Sequence, residues 1–111
     1  MHFPSFRRPL LALSISALLA TAAHAADQVK VGMLSTLSGP GAGLGIDIRD
    51  GFNLALKHMN GKLGNLPAEV IVADDQQNPE VAKQTAERLL KRDKVDFMTG
   101  TVFSNVMLAV G

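Results

Sequence analysis

The sequence has 111 residues, 47% hydrophobic, 19% charged and 5% aromatic, with a formal net charge of +1 and no cysteine. The apolar share excludes a disordered tail, and the lack of cysteine excludes a disulfide framework, a thiolate nucleophile and a Cys-ligated metal site. The near-neutral charge argues against a nucleic-acid binder, which would concentrate Lys and Arg on one face.

Residues 1–25 read as a secretory signal peptide. Arg7 and Arg8 form the positive start, Leu10 to Ala22 the apolar stretch, and Ala23-His24-Ala25 the small-x-small cleavage site. Cleavage is expected after Ala25, leaving residues 26–111 as the exported part. A membrane anchor is the rival reading, but the apolar stretch is shorter than the ~20 residues that spanning requires. No Cys follows the cleavage site to carry a lipid. With Arg7 and Arg8 removed, Lys plus Arg falls from 11 to 9 against 10 Asp plus Glu. The basicity of the whole chain therefore belongs to the export signal and says nothing about ligands.

The exported part alternates strand-like and helix-like segments. Val29 to Leu34 is a β-branched run that predicts a first strand. Leu37 to Gly45 reads as a loop rich in glycine. Ile48, Phe52, Ala55, Leu56 and Met59 then fall on one face of an amphipathic helix, stopped by Asn60-Gly61. Leu63 to Pro67 reads as a turn, and Glu69 to Ala73 as a second strand. Asn78-Pro79-Glu80 is a strong helix start, with a capping side chain, Pro at the first helical position and an acid in the first turn. Ala82, Ala86, Leu89 and Leu90 mark the stripe that this helix should bury. Val95 to Thr99 predicts a third strand, and a further helix begins near Asn105. The order predicts an α/β fold: a doubly wound parallel sheet, strand order 2-1-3, with helices on both faces. Three strands do not complete such a sheet, so residues 26–111 are expected to be the incomplete first part of a larger domain.

Two loops could carry function. Ser38-Gly39-Pro40-Gly41-Ala42-Gly43-Leu44-Gly45 fits neither G-x-G-x-x-G nor the P-loop pattern, so nucleotide binding is disfavoured. It is read either as a tight glycine turn or as a place where the backbone approaches a small ligand. Gly100 to Asn105 follows the third strand and opens a helix, whose first N–H groups suit a carboxylate. Ser104 there is either a ligand donor or simply the helix cap. Both loops lie at the C-terminal ends of strands 1 and 3, where connections reverse direction and open α/β sheets bind ligands. Catalysis finds little support. His58 reads as a surface side chain, Asp74-Asp75 more readily as turn acids than as a metal pair, and no nucleophile elbow is present. Neither a metal nor a cofactor is expected.

These residues resemble the start of periplasmic solute-binding proteins of the leucine/isoleucine/valine-binding type, which serve ABC transporters. The resemblance rests on Val29-Lys30-Val31-Gly32, Leu37-Ser38-Gly39-Pro40, Gly45, Gly51 with Leu54-Ala55, Asn60-Gly61, Asp74-Asp75, Asn78-Pro79 and Val95. It spans residues 28–105, about the first quarter of such a protein. It implies part of the first lobe of a two-lobed flytrap, with no enzyme activity. The implied partners are a small carboxylate ligand, an amino acid or an aromatic acid, and a membrane permease. The implied setting is the periplasm, and the full-length protein is expected to be a monomer. Ser104 falls where the family places a Ser that holds the ligand's carboxylate. Asn105, Ser38, Gly43 and Leu44 are the other implied ligand-binding positions, with Leu44 replacing an aromatic ring that relatives often offer. Val106 and Met107 stand where amino-acid binders often continue with Ser or Thr. These departures suit an aromatic or aliphatic carboxylate about as well as a branched-chain amino acid. Two other readings remain open: a sensory flytrap binding the same ligands, and an exported hydrolase of doubly wound fold.

Overall fold

The computed structural model describes residues 27–111, so the predicted signal peptide and its cleavage point lie outside the described residues. Val29–Ser35 forms β1, and Val31 to Ser35 are all buried. A strand buried on both faces belongs in the middle of a sheet. β1 pairs in parallel with β3 (Leu66–Asp74) on one side and with β4 (Phe97–Thr99) on the other. These three strands realise the expected 2-1-3 order.

One correction concerns the segment from Leu63 to Pro67. It contains a hairpin as well as a turn: β2 (Lys62–Leu63) runs antiparallel to β3, giving a mixed four-stranded sheet in the order β2-β3-β1-β4. Gly64 and Asn65 connect the two strands with φ of +55° and +68°. Two consecutive left-handed residues are what a two-residue type I′ hairpin demands, and Gly and Asn tolerate them best.

Strand parity separates two packing faces. Gly32 and Leu34 share one face with Ile71, Ala73 and Met98, while Val31, Met33 and Ser35 share the other with Val70, Val72, Phe97 and Thr99. The first face carries the main core, where Leu34 and Ala73 meet Ala82, Ala86, Leu89, Val95 and Val106. Ala82, Ala86 and Leu89 come from α2 (Pro79–Lys91), and Val106 from α3 (Ser104–Val110). A Cβ on Gly32 would stand 3.4 Å from Leu89 Cδ1 and 3.3 Å from Val95 Cγ2. The absent side chain is therefore what lets α2 settle onto the central strand. Asn78 caps α2 as expected, its side chain accepting from the N–H groups of Glu80 and Val81. Leu90 is a second correction: it is 51% exposed, one position outside the stripe that reaches the sheet.

On the opposite face lies α1 (Ala42–His58), which covers it only in part and leaves Val72 and Phe97 exposed. Its contact runs through Gly45, buried against Thr36 and Ser35, with Phe52 and Leu56 half-buried further along. Of the predicted apolar stripe, Ile48, Ala55 and Met59 are exposed, because the close approach at Gly45 fixes which side of the helix meets the sheet. At the base of the sheet, Asp96 ties β4 to β1. The Lys30 N–H donates to Asp96 Oδ2 at 2.8 Å, and the Asp96 N–H donates to the Lys30 carbonyl, also at 2.8 Å.

Candidate functional site

Three loops leave the C-terminal ends of the parallel strands: Thr36 to Gly41 after β1, Asp75 to Asn78 after β3, and Gly100 to Phe103 after β4. They meet at Gly41. A Cβ there would lie 2.7 Å from both Cε2 and Cζ of Phe103 and 2.9 Å from Gln77 Oε1. Gly100 makes its turn at φ +102°, and a Cβ there would press into the Met33 sulfur. The two loops singled out from sequence do converge at the β1–β4 crevice, and the β3 loop joins them.

The sequence-predicted residues divide into two groups. Ser38 is an exposed loop residue three positions before Gly41, and Ser104 and Asn105 are the exposed first two residues of α3, directly after Phe103. Phe103, not Ser104, is the helix cap, and no side-chain hydrogen bond closes the end of α3. The bland explanation of Ser104 as a cap is thus removed. Gly43 and Leu44 differ from the expectation of a loop running to Gly45. The helix already begins at Ala42, so both lie in the first turn of α1. Leu44 is 56% exposed, and no atom lies within 4 Å of a Cβ built on Gly43.

Polar groups beneath the loops hold them in place. Burial works to raise the Asp74 carboxyl, but hydrogen bonds from the Ser38 side chain and from the N–H groups of Leu37, Gln76 and Ser38 outweigh it, so Asp74 titrates below its ordinary value. Asp74 Oδ1 accepts from the Leu37 N–H at 2.9 Å and from the Gln76 N–H at 2.8 Å. Asp75, one residue on, is fully buried. Its Oδ1 accepts from the Thr36 hydroxyl at 2.6 Å and from the Gln77 N–H at 2.8 Å, whereas its Oδ2 has no partner. The expectation of turn acids suits Asp74, whereas Asp75 is buried as well as bonded within its turn. Strand parity carries the signal: Asp75 continues the Ile71–Ala73 face that α2 covers, and Asp74 continues the more open Val70–Val72 face. Thr36, Gln77 and Phe103 were also missed, because each gains its role only when separate loops come together.

Among the described residues, no group of three or more His, Cys, Asp or Glu side chains is placed to hold a metal ion. No described helix is long and apolar enough to cross a membrane. An open groove of about 410 Å³ lies beside β4, lined in part by Met98, Thr99, Thr101 and Met107, and contains none of the sequence-predicted site residues.

Comparison with known proteins places this geometry in context. The profile of the family described as periplasmic binding protein matches residues 28–111. A Leu/Ile/Val-binding protein homolog 7 from Brucella suis is 37% identical over 102 residues, covering 90% of this chain and 25% of that protein. A solved solute-binding protein of an R. palustris ABC transporter, in complex with benzoate, superposes with a TM-score of 0.72 at 35% identity, covering 75% of this chain and 23% of that one. A branched-chain amino acid transporter substrate-binding protein from Streptococcus pneumoniae, in complex with isoleucine, gives a TM-score of 0.70 at 25% identity over 75% of this chain and 24% of that one. The chain spans about a quarter of the length of the relatives it matches.

Proposed function

The chain belongs to the periplasmic binding protein family, and from that premise we propose that it contributes part of the first lobe of an exported protein that captures a small carboxylate for an ABC-transporter permease. The family binds solutes and is not enzymatic, which sets aside the hydrolase reading. The observation that carries the proposal is the meeting of the β1 and β4 loops at Gly41 and Phe103, at the place where open α/β sheets take ligands. Ser104 and Asn105 follow immediately and offer a hydroxyl, an amide and first-turn N–H groups to a carboxylate. In this reading residues 1–25 direct export and are removed after Ala25.

Between ligand classes, an aromatic acid is favoured over a branched-chain amino acid. Identity does not rank the two classes, since the benzoate-bound relative shares 35%, the isoleucine-bound one 25% and the Leu/Ile/Val-binding homolog from Brucella suis 37%; the preference rests on the side chains. Leu44 and Met107, both about half exposed, supply apolar surface where amino-acid binders often carry a ring or a polar group, whereas Val106 points into the core and meets no ligand. The test is calorimetric titration of the full-length gene product with benzoate, 4-hydroxybenzoate, isoleucine and leucine. Saturable binding of a benzoate is expected, and Ser104→Ala should weaken it about tenfold or more, since a hydrogen bond to a charged group is lost. The same substitution should leave thermal stability nearly unchanged, because Ser104 caps nothing. Absence of binding across the panel, or a Ser104→Ala protein that binds like the wild type, would remove the carboxylate reading.

A further inference from the structure

We propose that Asp75 is the positioning residue of the binding crevice: its carboxylate fixes the β1 loop in advance of ligand, through Thr36. This rests on the crevice reading above and names a residue that touches no ligand in it.

Asp75 joins the tips of the two longest strands. Its N–H donates to the Ser35 carbonyl at 2.9 Å, and its Oδ1 accepts from the Thr36 hydroxyl at 2.6 Å. The second contact has the length typical of an O–H to carboxylate bond, the strong, charge-assisted kind. Both Thr36 and Asp75 are completely buried, so water does not compete for the pair. Thr36 is the root of the loop that carries Ser38 and ends at Gly41. Asp75 Oδ1 also accepts from the Gln77 N–H, and the Gln77 side chain reaches Gly41, where it meets Phe103. One carboxylate oxygen therefore sets the root of the β1 loop and the residue that presses on its far end.

The other oxygen explains why the residue is unusual. Oδ2 is buried and unpartnered, an arrangement that stability alone disfavours. An amide would offer Oδ1 the same geometry without a buried charge. What the carboxylate adds is the strength of the Thr36 bond, and hence the stiffness of the loop. A crevice whose loops are already in place loses less freedom when the ligand arrives. The neighbouring Asp74 holds Leu37 and Gln76 from the more open face, so the two adjacent acids grip the same pair of loops from opposite sides of the sheet.

The test is amide hydrogen exchange on the full-length gene product, with and without benzoate, for wild type, Asp75→Asn and Thr36→Val. In the ligand-free protein both variants should exchange the Leu37–Ala42 segment at least about tenfold faster, while the β1 amides from Val31 to Leu34 keep their wild-type rates. The benzoate affinity of both variants should fall by a similar factor. Unchanged exchange in Leu37–Ala42, or an increase shared equally by β1, overturns the proposal, because the pair would then be irrelevant or merely structural. Faster loop exchange with full wild-type affinity overturns it as well. If wild type gains no protection in any of the three loops from benzoate or isoleucine, the crevice reading fails. The ligand-free exchange rates still decide whether Asp75 stiffens the loop.

Discussion

Gly45 and Gly51 lie six residues apart on α1, and the structure assigns them opposite responses to the same change. A Cβ on Gly45 would drive into the Thr36 carbonyl and lie 2.9 Å from Ser35 Oγ. The obstacle is backbone, so it does not swing aside, and α1 as a whole must retreat from β1. Overpacking of this kind costs about 1–3 kcal/mol. The retreat also threatens the buried bond from Ser35 Oγ to the Gly45 carbonyl, 3.3 Å long, worth about 1 kcal/mol. Alanine returns about 1 kcal/mol in helix propensity. Gly45→Ala should therefore destabilise the protein by about 1–3 kcal/mol. Gly51 has no atom within 4 Å of its Cβ position and is exposed, so Gly51→Ala should stabilise by about 1 kcal/mol from propensity alone. Urea denaturation of the full-length gene product, followed by circular dichroism, measures both. A Gly45→Ala protein as stable as wild type would refute the packing argument. A destabilised Gly51→Ala protein would show that something beyond the described residues lies against that position.

The remaining predictions concern the core, a cap and a titration. Leu89 is fully buried in the main core, and Leu89→Ala should cost about 2–5 kcal/mol by urea titration; a loss below 1 kcal/mol would mean that α2 does not anchor the sheet. Asn78→Ala removes the acceptor of two first-turn N–H groups and should cost about 0.5–2 kcal/mol, with Asn78→Asp or Asn78→Ser retaining most of the stability. Asp74 titrates lower in the folded protein than its ordinary value of 3.8. Its contribution is therefore complete above that value and is lost as pH falls through the lower folded value. Thermal melts between pH 6 and 2.5 should show a steeper acid loss in wild type than in Asp74→Asn, and parallel curves would contradict the hydrogen-bond assignment.

What was legible in the sequence was what local chemistry determines. Asn78-Pro79-Glu80 starts a helix for reasons contained in three residues, and the structure shows that cap in place. The strand order followed from the alternation of elements and the handedness of their crossovers. The hairpin at Gly64-Asn65 is not legible because β2 has only two residues and shows no periodicity. The glycines before Gly45 suggest a loop, whereas Gly45 serves a helix that must pass close to Thr36, so α1 starts earlier than spacing predicts. The same contact turns three of the five expected stripe residues outward, which spacing alone does not reveal. At the site, the two loops were found because each follows a strand. Asp75 and Phe103 were not, because a buried carboxylate and a ring against a glycine exist only once three loops are brought together.

The Lys30–Asp96 clasp has a consequence for the far end of the sheet. β4 is three residues long and meets β1 in only three paired positions, so its ladder alone resists sliding weakly. A slip of one residue would carry Ser104 about 3.3 Å along the strand axis. It would also exchange the faces of Phe97, Met98 and Thr99, burying and exposing the wrong side chains. Asp96, bonded to Lys30 through both its backbone and its side chain, removes that freedom at the point where β4 begins. The alignment of the Gly100–Phe103 loop with the β1 loop is thus set at the opposite end of the sheet. A substitution at Asp96 can shift the start of α3 without altering any residue near Gly41.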